Sequence, residues 1–206
     1  MLRSLAALLL FLPLAACDFV GPGEPCDEEN NCAPDLACYE GYCSGRGTLP
    51  SGSQCIGDNE CTPGTICFEN QVCMGIGALR FTMKWQANTD YDIHVRAPTE
   101  EEIYYLNPRG SDLVLDLDDC IGGNCAAAFS DHRENIVSEE QVPLPGQYEV
   151  WIVNYDDVVS AEASLEIVYQ NQQQDYREFV VPAEGNPGEP WGETEHLFFT
   201  VPDDGL

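Results

Sequence analysis

The sequence predicts an all-β protein: two small disulfide-stapled cysteine-rich repeats followed by an antiparallel β-sandwich of jelly-roll-like type. Three observations carry that expectation. Cys26, Cys32, Cys38 and Cys43 are echoed by Cys55, Cys61, Cys67 and Cys73. After Gly75 apolar residues recur at every second position in short runs separated by turn residues, and no stretch keeps a helical period. The boundaries follow as a leader at 1–16, a tether at 17–22, repeats at 23–48 and 49–75, and a sandwich domain at 76–206.

The leader places Arg3 before an apolar run from Leu5 to Leu14 and ends on small residues, the layout of a secretory signal. The run is too short for a mature membrane span. Leu14-Ala15-Ala16-Cys17 resembles the lipobox of bacterial lipoproteins. The resemblance implies cleavage before Cys17, lipid on its sulfur and new amino group, and an extracytoplasmic protein tethered to a membrane of the bacterial cell envelope. Cysteine parity agrees with this. With Cys17 set aside, the remaining ten of the eleven cysteines fall into groups of four, four and two, and even groups in an oxidising compartment indicate disulfides.

Charge narrows the partners. The formal net charge is −28, and cleavage of the leader removes Arg3 and no acid. Nucleic acid is excluded as a partner, while cations, basic proteins and other envelope components are compatible. The acids are interspersed with aromatic and aliphatic residues, as on a solvated acidic surface.

In the repeats the first three cysteines recur at an offset of 29 residues, and Asn31-Cys32-Ala33-Pro34 is answered by Glu60-Cys61-Thr62-Pro63, so a duplicated unit is the simplest account. Units this short need staples, each worth roughly 2 to 4 kcal/mol. Four cysteines allow three pairings. The interlaced one, first with third and second with fourth, ties both halves of the loop together and is the expectation, although spacing alone leaves all three open. The absence of Cys-x-x-Cys and of His from the segment argues against zinc. The spacing, with Tyr39 and Phe68 after the third cysteines, resembles the Dickkopf N-terminal cysteine-rich domain. Such units serve either as a protein-contact module or as a stalk.

The sandwich begins with Leu79, Phe81, Met83 and Trp85 alternating with Arg80, Thr82 and Lys84. Ile93 and Val95 continue the pattern, followed by strands at Glu102–Leu106 and Leu113–Leu117, with turns at Pro98-Thr99 and Asn107-Pro108-Arg109-Gly110. Pro145-Gly146 opens a strand with Tyr148, Val150 and Ile152 on one face and Glu149, Trp151 and Val153 on the other. Strands at Ala161–Tyr169, Tyr176–Val181 and His196–Val201 bring the total to about eight. Several ordered motifs, Leu79–Trp85, Thr89-Asp90-Tyr91-Asp92-Ile93-His94-Val95, Leu115–Asp119, Glu134-Asn135-Ile136 and Pro145–Val150, resemble the YfaP-like bacterial domain of unknown function, a family similar to pre-peptidase C-terminal domains. That resemblance implies a β-sandwich and no established activity. Cys120-Ile121-Gly122-Gly123-Asn124-Cys125 departs from the family's acidic, Gly-rich turn before Glu134.

Catalytic patterns are weak. Ser130-Asp131-His132 holds triad residue types, but neighbours in sequence cannot take the side-by-side geometry of a relay, and no nucleophile elbow occurs. His94, His132 and His196 lack ligand spacing. Cys120 and Cys125 are expected to form a local structural bridge, since Gly122 and Gly123 permit a tight turn. The protein is therefore expected to bind and not to catalyse, as an adhesion or ligand-binding module or as a spacer. Tyr104, Tyr105, Trp151 and Trp191 are candidates for a sugar-stacking platform or a protein-docking surface. Calcium is the one candidate ligand with named residues. Asp90 and Asp92 share one strand face, Asp116 and Asp118 another, and Asp119, Glu134 and Asn135 would complete an oxygen-only set suited to a hard cation. The plainer reading makes these solvated turn acids, with Asp90 and Asp92 capping a hairpin.

Overall fold

The computed structural model describes residues 20–27, 32–39, 41–120, 125, 131–155, 160–183 and 191–203. The leader and the lipidation expected at Cys17 lie outside the described residues. The described chain is all-β, with one 3-10 turn at Asp58–Glu60.

Each cysteine repeat is a hairpin stapled to the loop before it. β1 (Ala37–Tyr39) pairs with β2 (Tyr42–Ser44), and β3 (Thr65–Phe68) with β4 (Val72–Gly75). The third and fourth cysteines stand opposite each other in each hairpin, Cys38 with Cys43 and Cys67 with Cys73. They do not bond to each other; each reaches back, giving Cys26–Cys38, Cys32–Cys43, Cys55–Cys67 and Cys61–Cys73, the interlaced pattern. The sulfurs form the small buried clusters of the two units, so covalent staples replace a hydrophobic core.

The remaining strands build two antiparallel sheets around one core. β5 (Leu79–Trp85) is central in a six-stranded sheet of order β13-β12-β5-β10-β9-β8, with β8 at Arg109–Gly110, β9 at Leu113–Leu117, β10 at His132–Ser138, β12 at Ala161–Tyr169 and β13 at Gln172–Val181. The second sheet has the order β14-β11-β6-β7, with β6 at Tyr91–Arg96, β7 at Glu102–Ile103, β11 at Gly146–Asn154 and β14 at Gly192–Glu193, while β15 (Leu197–Val201) also pairs with β11. Phe81, Met83 and Trp85 of one sheet meet Ile93, Val95, Tyr148 and Ile152 of the other in a single buried cluster, as alternation anticipates. Two hairpins turn at Ser111-Asp112 and Gln170-Asn171 with positive φ at both central residues, as a type I′ turn requires. The turn expected at Asn107–Gly110 therefore falls three residues late, at Gly110–Leu113, because Arg109 and Gly110 pair as a short strand.

The structure departs from the sequence reading in two strands. Leu113, Leu115 and Leu117 do not share one face. Leu117 stands opposite Asn135 but Leu115 opposite Ile136, so Asp116 is an extra residue in a β-bulge. Leu113 and Leu115 join the sandwich core, whereas Leu117 emerges on the outer face against Val72 and Met74. The other is a strand the alternation did not mark, β10, which carries no alternating signal because all seven of its residues are buried, polar ones included. Its outer face is covered by the second repeat: Phe68 packs under the guanidinium groups of Arg80 and Arg133, and Glu69 pairs with Lys84 and Arg133. The second repeat is thus docked on the sandwich.

Candidate metal centre

The bulge separates the seven residues expected to bind calcium into three groups. Asp92, Asp118 and Glu134 come together, with carboxylate oxygens all within 4.8 Å of one another. Ligands on a sphere of about 2.4 Å radius, the usual calcium–oxygen distance, lie at most that far apart. Asp90 is close enough to act electrostatically on all three. Asp116 and Asn135 are elsewhere, on the outer face toward the second repeat. There Asp116 accepts hydrogen bonds from Ser51 Oγ at 2.6 Å, Gly75 N at 2.5 Å and Asn135 Nδ2 at 2.5 Å. A Cβ at Gly75 would lie 2.6 Å from Asp116 Oδ2, so this approach needs glycine. Asp119 turns to His132, with Oδ2 2.8 Å from Nδ1. Of the seven residues, the fold therefore brings Asp92, Asp118 and Glu134 together with Asp90 nearby, and places Asp116, Asn135 and Asp119 in other surroundings.

The elements explain the convergence. Glu134 stands opposite Met83 across the β10–β5 pair, so it points inward with the core residues. β7 covers β6 only at Val95 and Arg96, which leaves the Tyr91–Ile93 edge open toward β10. Glu134 reaches that edge and accepts the Ile93 amide on Oε2 at 2.7 Å. Asp92 lies on the same open stretch, and Asp118 arrives from the end of β9, where the bulge has reversed the alternation and turned it toward the cluster.

The electrostatics are those of acids facing acids. Glu134 is 0% exposed and Asp92 4%. Burial first, then the charges of Asp90 and Asp118, push the Asp92 carboxyl up to about 8. Burial followed by Asp92 and Asp118 raises Glu134 well above the usual carboxylate range, and burial with Asp90 raises Asp118. Glu134 Oε1 is buried without a hydrogen-bond partner. The approach of Asp118 to Glu134 becomes a hydrogen bond only when one of the two carries a proton. Unpaired buried carboxylate oxygen is costly, and either protons or a cation can relieve it.

The other singled-out residues fall into two further groups. Cys120 and Cys125 are bridged. Tyr104, Tyr105, Trp151 and Trp191 are gathered on the outer face of the five-stranded sheet, but as a packed array and not a flat platform. Trp151, 5% exposed, lies under His196, His94 and Arg96. Tyr104 stacks on His94, Tyr105 stands edge-on to Tyr104 and Tyr155, and Tyr155 contacts Trp191. Tyr155 joins the two ends of this array, and the sequence offered no signal for it beyond its aromaticity. Each histidine has its own carboxylate partner: His94 pairs with Glu102, His132 with Asp119 and His196 with Glu149.

No protein-family model, no curated protein and no solved structure matches the chain.

Proposed function

We propose that the protein is a lipid-anchored, non-catalytic binding module of the bacterial cell envelope whose sandwich holds one calcium-like divalent cation between Asp90, Asp92, Asp118 and Glu134. The single observation carrying the cation is the orphaned, fully buried Glu134 Oε1 inside a cluster of three carboxylates at coordination spacing. Oxygen-only ligands favour a hard cation over zinc or copper. The likeness of Leu14–Cys17 to a lipobox supports the anchor, and the resemblance of the cysteine repeats to Dickkopf N-terminal units and of the sandwich to the YfaP-like domain supports a binding role. A partner is then a protein or other envelope component recognised by the folded ectodomain, with the cation fixing the strand edge from which the aromatic array rises.

Metabolic labelling with a fatty-acid analogue tests the anchor: the wild type takes up label and Cys17→Ser does not. Crosslinking of the mature ectodomain to intact cells, with calcium or with a chelator, tests the binding role. A captured partner lost on chelation and lost in Glu134→Gln is the expected result; capture indifferent to both would contradict a cation-dependent module.

A further inference from the structure

We infer that the Cys120–Cys125 disulfide positions the carboxylates of the cation centre, so that the centre binds calcium at full affinity only while this bridge is oxidised. The inference rests on the cation reading above and adds a redox condition to it. The bridge touches each of the three segments that supply the carboxylates. Cys120 directly follows Asp118 and Asp119, and its side chain, 1% exposed, is built into the sandwich core. Cys125 packs against the same core with Sγ 3.8 Å from the carbonyl oxygen of Thr89, the residue before Asp90. A bridged sulfur has no proton, so this is a packing contact, and the same carbonyl is fixed by a 3.0 Å hydrogen bond from Trp85 Nε1. A ring nitrogen of His132, two residues before Glu134 on β10, lies within 4.8 Å of both sulfurs. The other face of that contact is the 2.8 Å link from His132 Nδ1 to Asp119.

Carboxylates that must all be ionised around a cation repel one another, so the segments bearing them need an independent restraint to hold coordination geometry as the cation replaces their protons. The bridge supplies it at the centre itself, whereas the other four disulfides lie within the cysteine repeats. Reduction removes the restraint. The thiolate of a dithiol attacks the more accessible Cys125 sulfur, the S–S bond breaks and Cys120 leaves as a thiolate that takes a proton. The second thiol of the reductant then displaces Cys125, which is protonated in turn, and closes the reductant's own disulfide. Two electrons and two protons pass to the protein's sulfur pair, and the dithiol is oxidised. Because linkage is reciprocal, the factor by which oxidation tightens calcium binding is the factor by which calcium protects the bridge from reduction.

Calorimetric calcium titration of the full mature protein and of Cys120→Ser/Cys125→Ser tests this. We expect affinity in the double variant to fall by about tenfold or more, a typical coupling, while the near-ultraviolet circular dichroism in chelator is retained. A dissociation constant within twofold of wild type overturns the inference. Should the double variant fail to fold, the wild type alone suffices: equilibration with dithiothreitol, followed by alkylation and mass spectrometry of Cys120 and Cys125, is expected to show a smaller reduced fraction with millimolar calcium than with chelator. Equal fractions overturn it. Failure of the wild type to bind calcium removes the cation reading itself, whereas wild-type binding with an unchanged double variant removes only the redox condition.

Discussion

Asp116 and Asp118 are two residues apart and both withdrawn from water, yet they have opposite surroundings. Burial raises the Asp116 carboxyl, but Ser51, Asn135 and the Gly75 amide oppose that rise by donating to it. Burial raises Asp118 too, and there the next influence is the charge of Asp90, which pushes the same way. Around Asp116 every neighbour is a donor; around Asp118 and Glu134 the described donors reduce to the Ile93 amide. A carboxylate provided with donors is a structural joint, here between the second repeat and the sandwich. Carboxylates provided with one another are a site for positive charge.

Substitutions should therefore have opposite signs at the two places. Asp116→Ala leaves the Ser51, Gly75 and Asn135 donors without an acceptor and should destabilise the protein by about 3 kcal/mol in denaturant unfolding, with or without calcium. Glu134→Gln removes a buried acid facing other acids and should stabilise the cation-free protein above the pH at which Glu134 ionises, by on the order of 2 kcal/mol, while abolishing calcium binding. A loss of stability in chelator would place Glu134 with the structural carboxylates. The pH profile sharpens the same contrast. Asp92 titrates at about 8 in the folded chain against 3.8 when free. Between those values the unfolded chain has released a proton that the native state keeps, so stability in chelator is full below the lower value and is lost as pH rises toward the upper one. Saturating calcium should flatten this decline, because the cation replaces the protons; urea midpoints across pH 4 to 8 would measure it. Asp118→Asn is the smallest effect, a gain of no more than about 1 kcal/mol in chelator, since Asp118 is only partly withdrawn from solvent.

Much of this was legible in the chain, but unevenly. Period-two alternation located β5, β6, β11 and β12 because each turns apolar residues toward the core at every second position, even where, as in β6 and β11, the other face is buried too, and cysteine parity implied the five bridges. The interlaced pairing followed from no spacing rule and needed the hairpin geometry, in which Cys67 and Cys73 face each other yet bond backwards. β10 was invisible as a strand because Arg133 and Asn135 are buried under the second repeat and Glu134 in the carboxylate cluster, so both faces read as polar. The acids were recognisable as a set, but a strict alternation put Asp116 beside Asp118. One inserted residue reversed that, and a bulge leaves little mark on composition. Trp151 was correctly placed on the outer face, while its cover by His94 and His196 depended on contacts between strands distant in sequence.

The most direct test of the cation centre is the calcium-induced shift in melting temperature of the mature protein, compared with Asp118→Asn/Glu134→Gln. Calcium at 100 times its dissociation constant should stabilise the wild type by about 2.7 kcal/mol, seen as a rise of several degrees, and leave the double variant unmoved. No shift at millimolar calcium, or an equal shift in the double variant, would contradict the account.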